Sequence, residues 1–213
     1  MNTIIDYSVY LVTDRPMACK PLEEIITEAV SGGVGIVQLR EKTVSTRLFL
    51  TLASRIKGLL STFSVPLIIN DRVDIALAVD AAGVHVGQDD MPCQEVRNIV
   101  GSGMIIGVSV STPAEAVAAE EEGADYLGIS PIYETPTKTD TPPAVGLAGL
   151  KAISAVTTLP LIAIGGLHAG NVSDVILAGA DGIAVVSAIM TSSDPRHAAH
   201  TLRQAVNRTR ITR

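Results

Sequence analysis

The chain has 213 residues, 47% hydrophobic and 18% charged, the balance of one compact domain able to bury a large core. Sixteen basic and 22 acidic side chains leave a net charge of −6, so the overall field repels nucleic acid and anionic membrane, and any phosphate site has to be local. Aromatic residues make up 3% and tryptophan is absent, which excludes a stacking platform for single-stranded nucleic acid.

The first β-rich apolar run, 9–12, ends in Tyr10-Leu-Val-Thr-Asp14, without the G-x-G-x-x-G of a dinucleotide-binding turn. A helical stretch at 22–30 leads through Gly32-Gly-Val-Gly35 into a second strand, 36–39, that runs on into Gln38-Leu-Arg-Glu-Lys42. A helix at 47–60 precedes a strand at 67–69 ending in Asn70-Asp-Arg72; a short helix at 74–79 and Ala81-Ala-Gly-Val84 lead to a strand at 84–86 ending in Gln88-Asp-Asp90. The fifth strand, 105–110, carries Ser109 and is followed by a helix at 113–122 and Glu122-Gly-Ala-Asp125. The sixth, 126–129, opens a long loop containing Thr135-Pro-Thr-Lys138. The seventh, 161–164, ends in Gly165-Gly166; Ala178-Gly-Ala-Asp-Gly182 introduces the eighth, 183–186, which runs into Ser187; a helix at 195–206 follows.

Eight near-continuous apolar strands, each followed by a helix, are what a closed parallel sheet buried on both faces requires. The expectation is a single (β/α)8 TIM barrel over residues 1–213, with the doubly wound open sheet as the alternative. Glycine in these four helix-to-strand junctions, at 32–35, 81–84, 122–125 and 178–182, suits a C-terminal cap and a tight turn.

Barrel sites are built at the C-terminal ends of the strands, and polar residues crowd those ends here. A period of two puts Gln38, Arg40 and Lys42 on one side of the second strand, Leu39 and Glu41 on the other. Arg40 and Lys42 either pair with neighbouring carboxylates or await an anionic ligand. Asp71 and Asp90 end adjacent strands, and two hard carboxylates beside such cations suit magnesium, with water and substrate oxygens completing six positions; helix capping is the competing role. Gly165, Gly166 and Ser187 stand where barrels bind a phosphate monoester on backbone N–H groups, although turn glycines are common. His85 reads as a core or rim histidine. His197 and His200 have no third ligand nearby, and no nucleophile with an adjacent base is visible. Cys19 and Cys93 lack metal or redox spacing and suit free thiols. The first fifteen residues do not resemble a signal peptide, and no apolar run approaches a membrane span. A soluble, cytoplasmic protein is expected.

The phrases Tyr10-Leu-Val-Thr-Asp14, Val37-Gln-Leu-Arg-Glu-Lys42, Leu67-Ile-Ile-Asn-Asp71, Gly83-Val-His-Val-Gly-Gln-Asp-Asp90, Gly107-Val-Ser109, Pro131-Ile-Tyr133, Thr135 to Lys138 and Ile164-Gly-Gly-Leu167 together resemble the thiamine phosphate synthase (thiamine phosphate pyrophosphorylase) family over nearly the whole chain. The resemblance implies a transferase joining hydroxymethylpyrimidine pyrophosphate to a hydroxyethylthiazole phosphate, or its carboxylated precursor, with release of pyrophosphate and Mg2+ as cofactor. It implies that the run from Gln38 through Leu39, Arg40 and Glu41 to Lys42, with Asn70 and Ser109, contacts the pyrimidine pyrophosphate, and that Asp71 and Asp90 hold the metal. Thr135, Pro136, Thr137, Gly166, Val186 and Ser187 fall on the thiazole phosphate site and Lys138 on a lysine reaching the pyrophosphate. Arg40, Lys42, Ser109 and Lys138 would carry the catalysis. Where family members often have glutamate before the metal aspartate, Asp89 stands here, a second possible ligand. A thiazole-phosphate isomerase of the same fold, or a non-catalytic phosphate sensor, remains the competing function. Partners are small molecules, with neither nucleic acid nor membrane; homo-oligomerisation is left open.

Overall fold

The computed structural model describes residues 5–134 and 144–212. Eight strands, β1 (Val9–Val12), β2 (Ile36–Leu39), β3 (Leu67–Asn70), β4 (Gly83–Val86), β5 (Ile105–Val110), β6 (Tyr126–Ile129), β7 (Leu161–Ile164) and β8 (Gly182–Val185), each pair in parallel with the next. β1 also pairs with β8, Tyr10 opposite Ala184, so the sheet closes and the doubly wound alternative is excluded.

The helices are α1 (Leu22–Ser31), α2 (Thr46–Ser61), α3 (Val73–Ala78), α4 (Cys93–Val100), α5 (Pro113–Glu121), α6 (Gly146–Ser154), α7 (Val172–Leu177), α8 (Ser187–Met190) and α9 (Pro195–Thr212). Their apolar residues recur at helical spacing: Leu22, Ile25, Ile26 and Ala29 line the inward stripe of α1. Capping sets the starts of two of them. Ser45 Oγ accepts from Leu48 N at the head of α2, and Thr112 Oγ1 accepts from Glu115 N ahead of α5, whose first residue is Pro113. After α1, α5 and α7 the chain turns on Gly33, Gly123 and Gly179 at positive φ, as the junction glycines lead one to expect. After α3 it does not. There Asp80 takes the left-handed turn at φ 51°, and Gly83 is the first residue of β4.

Strand side chains sort into two layers. Val9, Leu11, Val37, Leu39, Leu67, Ile69, Leu127 and Ile129 lie between sheet and helices. Tyr10, Val12, Ile36, Ile68, Tyr126, Ile162 and Ala184 fill the lumen. The lumen layer decides the site, because the residues two further along each strand on the same face emerge at its C-terminal end.

Candidate active site

Following the lumen face upward brings Gln38 and Arg40, Asn70, His85, Ser109, Gly128, Ser130, Ile164 and Val186 to the walls of a cavity of about 60 Å³. It shares Arg40, Asn70, His85, Ser109 and Ser130 with a cleft of about 460 Å³ reaching Lys42, Asp71, Asp89 and Asp90. The floor is small and partly apolar, and the cleft above it sets two cations, Arg40 and Lys42, among the carboxylates of Asp71, Asp89, Asp90 and Glu115. A larger groove of about 900 Å³ opens at the opposite end of the barrel around Arg203 and Asp6, on the side where barrel residues serve stability.

Both cations of β2 reach the mouth paired with carboxylates. Arg40 Nη1 stands 3.5 Å from Asp14 Oδ2, and Lys42 Nζ 2.5 Å from Asp71 Oδ2. Strand alternation sends their neighbours elsewhere. The side chain of Leu39 lies in the layer beneath the helices, and Glu41 accepts two hydrogen bonds from Arg15, at 2.8 and 3.1 Å. Neither residue is among those lining the cavity or the cleft.

Asp71 caps no helix: α3 begins after Arg72, and Asp71 itself sits at φ +61°, an uncommon conformation for a residue with a Cβ. Burial pushes its carboxyl above the ordinary range; the Lys42 ammonium opposes this, and the nearby Asp90 carboxylate adds to it. Asp90 does not cap α4 either; its Oδ2 accepts from Gly87 N at 2.8 Å and closes its own loop. Two carboxylates thus converge beside a lysine. Among the described residues no group of three or more His, Cys, Asp or Glu is placed to hold a metal. Beside this pair, Asn70 is buried at 8% exposure and its Nδ2 has no hydrogen-bond partner among the described residues. An orphaned buried donor at a cleft floor is costly unless a ligand accepts from it.

The lumen also holds a polar chain that the sequence does not announce. Gln38 Nε2 donates to Tyr10 Oη at 3.0 Å, Tyr10 and Tyr126 hydroxyls are 2.9 Å apart, Tyr126 Oη is 2.9 Å from His85 Nδ1, and His85 Nε2 is 2.9 Å from Ser109 Oγ. A hydroxyl beside an imidazole is therefore present, although no nucleophile next to a base is legible in the sequence. Gly107 makes the slot for these rings; a Cβ there would lie 2.1 Å from Tyr126 Cζ and 2.5 Å from His85 Nδ1.

Across the mouth, Gly165 and Gly166 turn at φ +106° and +66°, and the Asn171 amide donates to Gly166 O at 2.9 Å. A Cβ on Gly166 would come within 2.8 Å of Tyr133 Cβ, so this turn also seats the loop after β6. Val186 lines the cavity, and Ser187 opens the four-residue helix α8, whose first N–H groups have no partner within the helix. Thr135, Pro136, Thr137 and Lys138 lie outside the described residues.

The family model for thiamine monophosphate synthase matches residues 9–189, spanning every strand and all of this mouth. The chain belongs to the thiamine monophosphate synthase family. The thiamine-phosphate synthase of Albidiferax ferrireducens is 50% identical over 200 residues, covering 93% of this chain and 91% of the relative. That of Syntrophomonas wolfei is also 50% identical, covering 93% and 96%. The solved thiamine phosphate pyrophosphorylase of Pyrococcus furiosus superposes with a TM-score of 0.88 at 38% identity, over 96% of this chain and 98% of that one. A 3-hexulose-6-phosphate synthase, at TM-score 0.68 and 18% identity, shares the fold alone. Within the family frame, Asp14, Tyr10, Tyr126 and His85 are lining residues that sequence reasoning did not place in the site. The alternation Tyr10-x-Val12 and Tyr126-x-Gly128, in step with Gln38 and Ser109, is the signal that could have found them.

Proposed function

We propose that the mouth of this barrel performs the thiamine-phosphate synthase reaction, joining hydroxymethylpyrimidine pyrophosphate to a hydroxyethylthiazole phosphate, carboxylated or not. The C–O bond to the pyrophosphate breaks first, the electron pair leaving with pyrophosphate. The resulting pyrimidine methyl cation is captured by the thiazole nitrogen, forming the new C–N bond. The observation that carries this reading is the convergence of Asp71 and Asp90 beside Lys42 and Arg40 in a chain of this family. An isomerase of the thiazole phosphate has no leaving pyrophosphate and no use for that cluster.

The donor set fits magnesium. Two hard carboxylates, one of them kept partly unwilling to ionise by burial and by its twin, gain from a divalent cation and leave most of six positions to water and substrate oxygens. Bound there, the ion would neutralise charge growing on the leaving group. The protein's own contributions follow from position. Arg40 and Lys42 exchange their carboxylate partners for pyrophosphate oxygens as these gain charge. The Asn70 amide supplies a donor that has no other partner among the described residues. The narrow floor excludes water that would otherwise consume the cation. Ser109 faces the pyrimidine, and Lys138 is proposed to complete the grip on pyrophosphate. Thr135, Pro136, Thr137, Gly166, Val186 and Ser187 form the thiazole phosphate corner. A cytoplasmic location fits phosphorylated substrates of this kind, and among the described residues no helix is long and apolar enough to cross a membrane.

Isothermal titration with inorganic pyrophosphate tests the metal assignment. Wild type should bind pyrophosphate at least about tenfold more tightly with Mg2+ than with a chelator, and Asp90→Asn should remove most of that gain. Binding that ignores Mg2+, or a gain that survives in a folded Asp90→Asn, would overturn the assignment.

A further inference from the structure

Ser109 Oγ and His85 Nε2, 2.9 Å apart, have the spacing of an activated nucleophile and its base. In that arrangement an acceptor on the far ring nitrogen keeps the near nitrogen free to take the hydroxyl proton. The far nitrogen here faces a phenol. Proton counting along the chain then decides its direction. An amide nitrogen can only donate, so Tyr10 Oη accepts from Gln38 Nε2. Tyr10 has one proton to give, and Tyr126 Oη, 2.9 Å away, is the only acceptor recorded for it among the described residues. Tyr126 then gives its own proton to His85 Nδ1. The opposite order would leave the fully buried Tyr10 hydroxyl proton without an acceptor, a cost the first order avoids.

We propose that Tyr126 is a positioning residue: by donating to Nδ1 it holds His85 with its proton on Nε2, so that His85 donates to Ser109 Oγ and the Ser109 hydroxyl points its only proton at the substrate. The polarity of the serine–histidine pair is thereby reversed. Ser109 becomes a fixed hydrogen-bond donor to an acceptor atom of the pyrimidine substrate. With no base to deprotonate it and one lone pair engaged, its oxygen is a poor trap for a carbocation formed nearby. Burial raises the pKa of both phenols, foremost by desolvation, so both stay protonated at working pH. Gly107 and Gly128 keep the space: a Cβ on Gly128 would lie 3.1 Å from His85 Cε1.

The tautomer is read directly by long-range 15N–1H NMR of the ligand-free protein at about pH 8, well above the ordinary imidazole pKa of about 6.5. His85→Asn assigns its signals among the four histidines. Wild type should show Nε2 as the protonated nitrogen. Tyr126→Phe, which keeps the ring and removes the donor, should shift His85 toward the other tautomer. Tyr10→Phe should not, because Tyr126 can still donate. A wild-type His85 protonated at Nδ1 would overturn the proposal without any variant. So would a folded Tyr126→Phe that keeps both the Nε2 proton and full coupling. The coupling readout rests on the synthase reading above: kcat should fall about tenfold in Tyr126→Phe, the scale at which partners that orient a site residue act, with the KM for the thiazole phosphate near wild type. If wild type does not couple but shows the Nε2 tautomer, the synthase reading fails and the relay stands.

Discussion

Asp71 carries two burdens, a left-handed backbone and a carboxyl whose charge the fold disfavours. Its folded pKa lies above the ordinary value of 3.8, with burial the leading cause. An acid raised in this way favours folding while protonated. That contribution is complete below the unfolded pKa and disappears as the pH climbs through the folded one. At neutral pH the charged carboxylate is therefore a liability to the empty fold, held for the sake of a cation. Asparagine is nearly isosteric and tolerates φ > 0 well. Asp71→Asn should raise the melting temperature at about pH 7.5 by roughly 2 °C while removing Mg2+-dependent pyrophosphate binding. The gain should shrink on acidification, as the wild-type carboxyl takes up its proton. A variant less stable than wild type at neutral pH would mean that the Lys42 pair outweighs burial.

Elements were legible where punctuation is chemical. Apolar runs bounded by glycine and by Ser or Thr caps marked the eight strands and helices α1, α2, α3 and α5 to within a residue or two; α9 runs on to Thr212, and α4, α6, α7 and α8 were given no bounds. Which strand residues face the lumen was legible only by carrying the period of two back from polar strand ends such as Gln38 and Ser109. All but three strand positions in β1 through β8 are buried, so the runs carry no polar alternation to sort one face from the other. Tyr10 and Tyr126 therefore passed as core, and the chain joining Gln38 to Ser109 stayed hidden. Gly107 is the element-scale test of that interior. Gly107→Ala forces a methyl against Tyr126 and His85 and should cost about 1–3 kcal/mol by overpacking, read as a lowered melting temperature. Gly103→Ala, whose Cβ meets nothing within 4 Å, should stay within about 0.5 kcal/mol of wild type. Equal effects would mean that the slot is looser than drawn.

Across the whole molecule, a net charge of −6 surrounds a mouth whose cations Arg40 and Lys42 are already paired with Asp14 and Asp71, so under the proposed reading phosphate binding depends on the divalent cation that Asp71 and Asp90 would hold. The opposite end is tied down by α9, through Arg203 to Asp6 at 2.5 Å and Arg210 to Ser8 Oγ at 2.7 Å, closing the seam where the first strand meets the last. Strand-end chemistry placed Asn70, Asp71, Asp90, Ser109 and Gly166 at one mouth from the sequence because parallel barrels put every strand terminus on one rim. Glu41 and Leu39 turn away through the same pleat that aims Arg40 inward. Pyrophosphate release under saturating pyrimidine and thiazole substrates with Mg2+, in wild type and Arg40→Met, is the decisive measurement for the synthase reaction at this mouth. Wild type should release pyrophosphate stoichiometrically with coupling, and a folded Arg40→Met should fall by roughly a hundredfold or more, about 3 kcal/mol of transition-state stabilisation, with thiazole phosphate affinity near normal. No coupling in wild type, or unchanged coupling in the folded variant, would contradict it.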